Sequence, residues 1–151
     1  KKKKIVSVHY AEYLENLSQS GTFTWRDVPN LSLTITPQSV NSKFFIMMRV
    51  SMGTDGNHTY ARIEANGSGV HVANAYNSAF RTTSAVAAKA TWDMDELTGQ
   101  YLWDPNTTSA VTIKAQYAGE SDHFVNRGQR DNGSQSDARA TSSLTVFEID
   151  N

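Results

Sequence analysis

Leu31, Leu33 and Ile35 alternate with Ser32, Thr34 and Thr36, and Val111, Ile113, Ala115 and Tyr117 alternate with Thr112, Lys114 and Gln116. A two-residue period places apolar groups on one face of an extended chain and polar groups on the other, the pattern of a half-buried strand. Val6 and Val8 with Tyr10, Phe23 with Trp25, and Ala61 with Ile63 and Ala65 repeat it more weakly. Composition supports the same reading. Ser, Thr and Asn supply 42 of the 151 residues, while only 38% of the chain is apolar and 19% charged. Hydroxyl and amide side chains suit polar sheet faces and turns better than helices. Six Phe, six Tyr and three Trp argue against disorder. About ten short strands without a long helix predict an all-β fold, an antiparallel β-sandwich or jelly roll. The length suits one domain over residues 1–151.

Residues 10–17 and 93–97 contain helix formers, but two turns and one turn are too short to stand alone. Asn66-Gly67-Ser68-Gly69 predicts a hairpin between residues 59–65 and 70–74, because Asn and Gly tolerate positive φ. Further strands are expected near residues 85–91, 100–103 and 144–149. Lys1 to Lys4 read as a basic, disordered tail. No apolar core of a signal peptide follows them, and the chain reads as a piece of something longer or as a domain carrying an added tail.

One run breaks the alternation. Phe44, Ile46, Met48, Val50 and Met52 share one face of a strand, while Phe45 and Met47 point to the other. The first face can enter a sandwich core. The second needs a cover, whether loop, sheet or second chain, and Phe45 and Met47 are the candidate subunit-interface residues. Residues 126–143 are the opposite case: Ala138 and Ala140 are the only apolar residues before Ser142, so a long surface loop is expected, of a length often given to recognition.

The net charge of −1 offers no global attraction for nucleic acid, and no apolar run reaches membrane-spanning length, so neither nucleic acid nor membrane insertion is expected. Zero Cys removes disulfides and thiolate chemistry together. No nucleophile elbow and no phosphate-cradling Gly loop occurs. Asp93, Asp95 and Glu96 crowd one turn rather than flanking a sugar. None of His9, His58, His71 and His123 has a His within five residues, so neither a metal site nor a cofactor is expected, although His58 and His71 flank one hairpin. The chain reads as a non-enzyme.

Trp92, Tyr101 and Trp103 lie among Asp, Thr and Gln residues, and exposed aromatics beside polar groups are the general pattern of a sugar platform. With Arg127, Arg130 and Asp131 of the long loop they form the candidate ligand-binding set. The competing reading of these aromatics is that they belong to the core.

Several blocks resemble one family. Asp27-Val28-Pro29-Asn30-Leu31-Ser32-Leu33-Thr34-Ile35-Thr36-Pro37-Gln38-Ser39-Val40-Asn41-Ser42-Lys43 resembles a stretch common in C-terminal head domains of tailed-phage fibre and virion appendage proteins, notably of marine and cyanobacterial phages. There an Ile-Thr-Pro-x-Ser-x-x-Ser-Lys pattern leads into an apolar strand. Thr107 to Lys114, Asn126-Arg127 and Ser142 to Ile149 resemble that family's later strands, in order. Val28-Pro29-Asn30 departs from its usual Gly-containing turn, and residues 87–97 match no block. The resemblance implies a trimeric β-rich domain on the surface of a phage particle. It would be joined to other virion proteins and contact a host-surface glycan or protein through its loops. A purely structural role such as capsid decoration, and a monomeric carbohydrate-binding module, stay open as alternatives.

Overall fold

The structure is a computed structural model that describes residues 3–21, 23–87, 90 and 92–150. The strands are β1 (Lys4–Tyr13), β2 (Leu17–Gln19), β3 (Arg26–Ile35), β4 (Lys43–Thr54), β5 (His58–Ala65) and β6 (Ser68–Val70). They continue with β7 (Ser84–Ala87), β8 (Asp95–Trp103), β9 (Val111–Gly119), β10 (His123–Val125) and β11 (Ser142–Asp150). Every pairing between them is antiparallel.

β4 organises the larger sheet. One of its edges pairs with β8; the other pairs first with β11 and then with β10. β1 extends the sheet beyond β11, and β2 extends it beyond β10. The second sheet runs β3, β9, β5, and the free edge of β5 is shared by β7 and β6. The two sheets face each other across one core, an antiparallel β-sandwich as the alternation predicts.

The apolar run explains the core. Phe44, Ile46, Met48, Val50 and Met52 are all at most 2% exposed and meet Leu31, Ile63, Ile113, Leu144 and Val146. The polar intervals of β9 fall on the outside, so that strand buries one side and wets the other, whereas β11 turns Ser142, Leu144, Val146 and Glu148 inward and Thr145, Phe147 and Ile149 outward. The Asn66–Gly67 turn has two central residues, both with positive φ (49° and 85°), as the two-residue hairpin requires.

Residues 10–17 form no helix, in keeping with two turns being too short to stand alone: β1 runs through Tyr13 and pairs with β11. The turn at residues 92–94 gives way to β8 at Asp95, so residues 93–97 are also non-helical. Several sequence expectations are corrected. The second arm of the hairpin stops at Val70, and the strand near residues 85–91 is β7, with residues 88, 89 and 91 outside the described part. Lys4 is not tail but opposes Asp150 in β1; Lys1 and Lys2 lie outside the described residues. Val8 and Tyr10 point outward, both 58% exposed, after a register shift between Ile5 and Ser7.

His123 of β10 is 1% exposed. Its Nδ1 lies 2.7 Å from the Ser121 carbonyl, which can only accept, so the proton sits on Nδ1. Nε2 is then a buried acceptor without a donor among the described residues, and the ring fills the space that a Cβ on Gly119 would need. Burial pushes the imidazole below its ordinary value. Its contribution to stability is therefore complete above about pH 6.5, the unfolded value, and is lost as pH falls toward the native one. The urea midpoint is expected to fall as pH drops below about 6.5. His123→Leu is expected to flatten that part of the curve; an unchanged curve would contradict the assignment.

Candidate functional site

The outer face of the larger sheet carries an uncovered apolar row. Register places Val8 of β1 opposite Phe147 of β11, Phe147 opposite Phe45 of β4, and Phe45 opposite Leu102 of β8. The row thus crosses four strands, about 15 Å at ordinary strand spacing. Phe45 and Phe147 touch, with ring centroids 6.5 Å apart. Val8 is 58% exposed, Leu102 45% and Met47, in the next row, 38%. Ile149 and Leu102 close a small apolar hollow of about 50 Å³ bordered by Lys3 and Lys43. No loop among the described residues covers Met47 or Leu102. The sequence exposes Phe45 and Met47 as a second apolar face, but Val8, Leu102 and Phe147 join it only through strand register.

The six candidate ligand-binding residues separate into two groups. Trp92 is 60% exposed at the turn before β8, and the Arg130 guanidinium lies over its ring, 5.8 Å from the centroid. Arg127 and Asp131 belong to the same end. Arg127 rests on the Phe124 ring at 4.4 Å and donates to the carbonyls of Gly128 and Gln129, and its ion pair with Asp131 spans 3.5 Å. Asp131 also binds Arg139.

Arg130 is held by Asp137 at 2.7 Å and by the Ser136 hydroxyl. Burial raises the Asp137 carboxyl, but Arg130 and the N–H groups of Ser134 and Asn132 outweigh it and hold the carboxyl low. The long loop is therefore a folded unit with its charges paired. Its cations are largely spent on its own architecture.

Tyr101 and Trp103 are elsewhere. Both are half-buried on β8 and pack against the core, Tyr101 stacked on His71 at 4.9 Å and Trp103 tilted against Phe44 at 6.1 Å. Trp103 and Trp92 stand at opposite ends of β8, roughly 25–30 Å apart by strand rise. Trp103→Ala is expected to lower stability by about 2–4 kcal/mol, the range for a large residue packed on a core, whereas Trp92→Ala is expected to leave melting nearly unchanged. Paired thermal melts decide between them. His58 and His71 do not approach as a pair: His58 binds Glu120 at 2.8 Å and His71 lies on Tyr101. Among the described residues, no three His, Asp or Glu side chains converge.

The blocks that carry the family resemblance have structural work. The Glu148 carboxylate, 1% exposed, accepts the Gln38 N–H at 2.6 Å and the Ser7 hydroxyl at 2.9 Å, and Ser42 also donates to it. Ser39 and Ser42 lock the same turn, with the Ser42 N–H donating to the Ser39 carbonyl. The Pro-x-Ser-x-x-Ser-Lys turn is thus fastened to the closing strand by one acidic side chain. Asn126, the first residue of the Asn-Arg pair, is fully buried and joins four segments.

No protein-family model matches the sequence, and neither does any curated protein. Among solved structures, the chain is similar to one in the structure of infectious bursal disease virus, Gt strain, at 11% identity and a TM-score of 0.48. That alignment covers 95% of this chain and 40% of the viral one, so the chain spans about two fifths of that neighbour's length.

Proposed function

We propose that this chain is the β-sandwich head domain of a virion fibre or appendage, assembled as a trimer through the outer face of its larger sheet and used in attachment to a host surface. The observation that carries the reading is the open row Val8, Phe147, Phe45 and Leu102. Each such side chain gains about 1.5–3 kcal/mol when moved from full exposure to full burial, and a monomer forgoes part of that. The occupant is another copy of the chain. The row is continuous across four strands, and the family whose blocks the sequence resembles is displayed in multiple copies. In a trimer the loop that pairs Trp92 with Arg130 would be presented three times, and weak contacts to a glycan or protein would gain by effective concentration.

Light scattering behind a sizing column tests the assembly. The expected mass is near three times 16.7 kDa. Phe45→Asp with Met47→Asp is expected to return it to the single-chain mass with the fold intact by circular dichroism. A monomeric parent chain would remove the interface and favour a stand-alone binding module. A trimer that shows no adhesion to host cells would leave a capsid-decorating role.

A further inference from the structure

The outer face of the smaller sheet is chemically unlike that of the larger one. Its cross-strand pairs are polar: Arg62 opposite Gln116 and Glu64 opposite Lys114, with Asp27 of β3 opposite Gln116. These side chains form a connected lattice. Arg62 Nε donates to Gln116 Oε1 at 2.8 Å, Gln116 Nε2 donates to one oxygen of Asp27, and Lys114 Nζ donates to the other at 2.8 Å. Arg62 is fixed further by its stack over the Trp25 ring, 4.5 Å from the centroid, and Trp25 in turn stacks on Phe80 at 4.7 Å. Phe80 also packs edge-on against Tyr60, so the segment between β6 and β7 covers one end of this face. Beyond that cover lies an open groove of about 390 Å³, lined by Arg62, Glu64, Asn66, Thr112, Lys114 and Gln116.

Glu64 is the informative residue. It is only 4% exposed, and among the described residues its carboxylate accepts from the Gly67 N–H alone and forms no ion pair. Its second oxygen has no donor among the described residues and is not sealed from solvent, so it opens onto the groove that the residue borders.

We propose that this groove binds a neutral, polyhydroxylated ligand, a glycan, with a hydroxyl donating to the free oxygen of Glu64 and others meeting Lys114 and Thr112. The charges select this class. Arg62 and Lys114 balance Asp27 and Glu64, so an anionic sugar or phosphate meets carboxylates and an organic cation meets the Lys and Arg. A neutral polyol meets donors and acceptors held in place by the lattice, as a preorganised site requires. The site lies on the opposite sheet from the proposed subunit contact and apart from the Trp92–Arg130 loop, so it stands independently of the attachment reading.

Amide spectra of the ¹⁵N-labelled chain titrated separately with glucose, galactose, mannose, N-acetylglucosamine, lactose and cellobiose test the proposal. At least one sugar is expected to shift the amides of Gly67 and Thr112, whose N–H groups bond to Glu64 and Asn66. Glu64→Gln is expected to weaken that binding by about tenfold, as for one charge-assisted hydrogen bond. Lys114→Ala, at a more exposed position, is expected to weaken it without moving the melting temperature. If no sugar moves these amides, or if both variants bind as the parent does, the groove is structural and the proposal fails. Shifts confined to residues 126–140 would also overturn it while leaving attachment through the loop intact. Inorganic phosphate moving Gly67 and Thr112 more strongly than every sugar would overturn the neutral-ligand assignment.

Discussion

Asn126→Ala is expected to cost about 3–5 kcal/mol and to lower the melting temperature by roughly 10–15 °C for a chain of this size. The Asn126 Nδ2 donates to the carbonyls of Tyr13 at 2.8 Å and Glu15 at 2.7 Å, and its Oδ1 accepts the Ser142 hydroxyl at 2.6 Å. Its backbone N–H donates to the Ser51 carbonyl, and its own carbonyl accepts the Ala140 N–H. One buried residue therefore ties the end of β1 to β4 and to the start of β11. Truncation leaves three polar groups unmatched where water cannot readily replace the side chain.

The backbone adds to the cost. Asn126 has φ of 62°, a region Asn tolerates better than Ala. Asn126→Asp separates hydrogen bonding from packing, since it keeps the volume but turns the donor toward two carbonyls into an acceptor. It is expected to be at least as destabilising. Thermal melts of the three proteins decide the matter, and a loss under about 1 kcal/mol in both variants would refute the hub role.

Glu148→Ala is expected to be nearly as severe, about 3–4 kcal/mol, because the Gln38 N–H and two serine hydroxyls lose their acceptor. Glu148 also sets the acid limb of stability. Burial alone pushes its carboxyl up, but the Gln38 N–H, Ser42 and Ser7 outweigh burial and hold it below the ordinary value. A carboxyl lowered in the native state stabilises fully above its unfolded value, about pH 4.3, and that stability disappears as pH falls through the native value. Glu148→Gln keeps an acceptor without the charge. It is expected to be milder at neutral pH and to flatten the profile below about pH 4.5. Urea midpoints over that range check the sign: a profile as steep as the parent's would assign the acid limb elsewhere. The loss through His123 begins higher, below about pH 6.5, so the two contributions start in different ranges.

The class of fold was legible because strand periodicity is a local property. The Leu31–Ile35 and Val111–Tyr117 alternations and the unbroken Phe44 run each dictate which side chains turn inward, and burial follows that dictate. β1 was less legible, since a register shift near its start turns Val8 and Tyr10 outward where simple alternation suggests a core strand. The candidate site was legible only in part. Trp92 and Arg130 do meet, but Tyr101 and Trp103 pack against the core along a strand that carries them away from the loop. Closeness in sequence within a strand is distance in space.

The sequence by itself determined the alternating strands around Leu31–Ile35 and Val111–Tyr117, the tight Asn66–Gly67 turn and the two-sided apolar character of β4. These depend on side-chain period and on which residues accept positive φ, and neither needs a distant partner. Tertiary structure alone decided that Val8, Phe147, Phe45 and Leu102 align into one exposed row, that Glu148 fastens a turn about 110 residues away in sequence, and that Glu64 borders a groove with an oxygen unclaimed. Those features arise from strand order and register, in which a shift of one residue would turn every side chain to the opposite face.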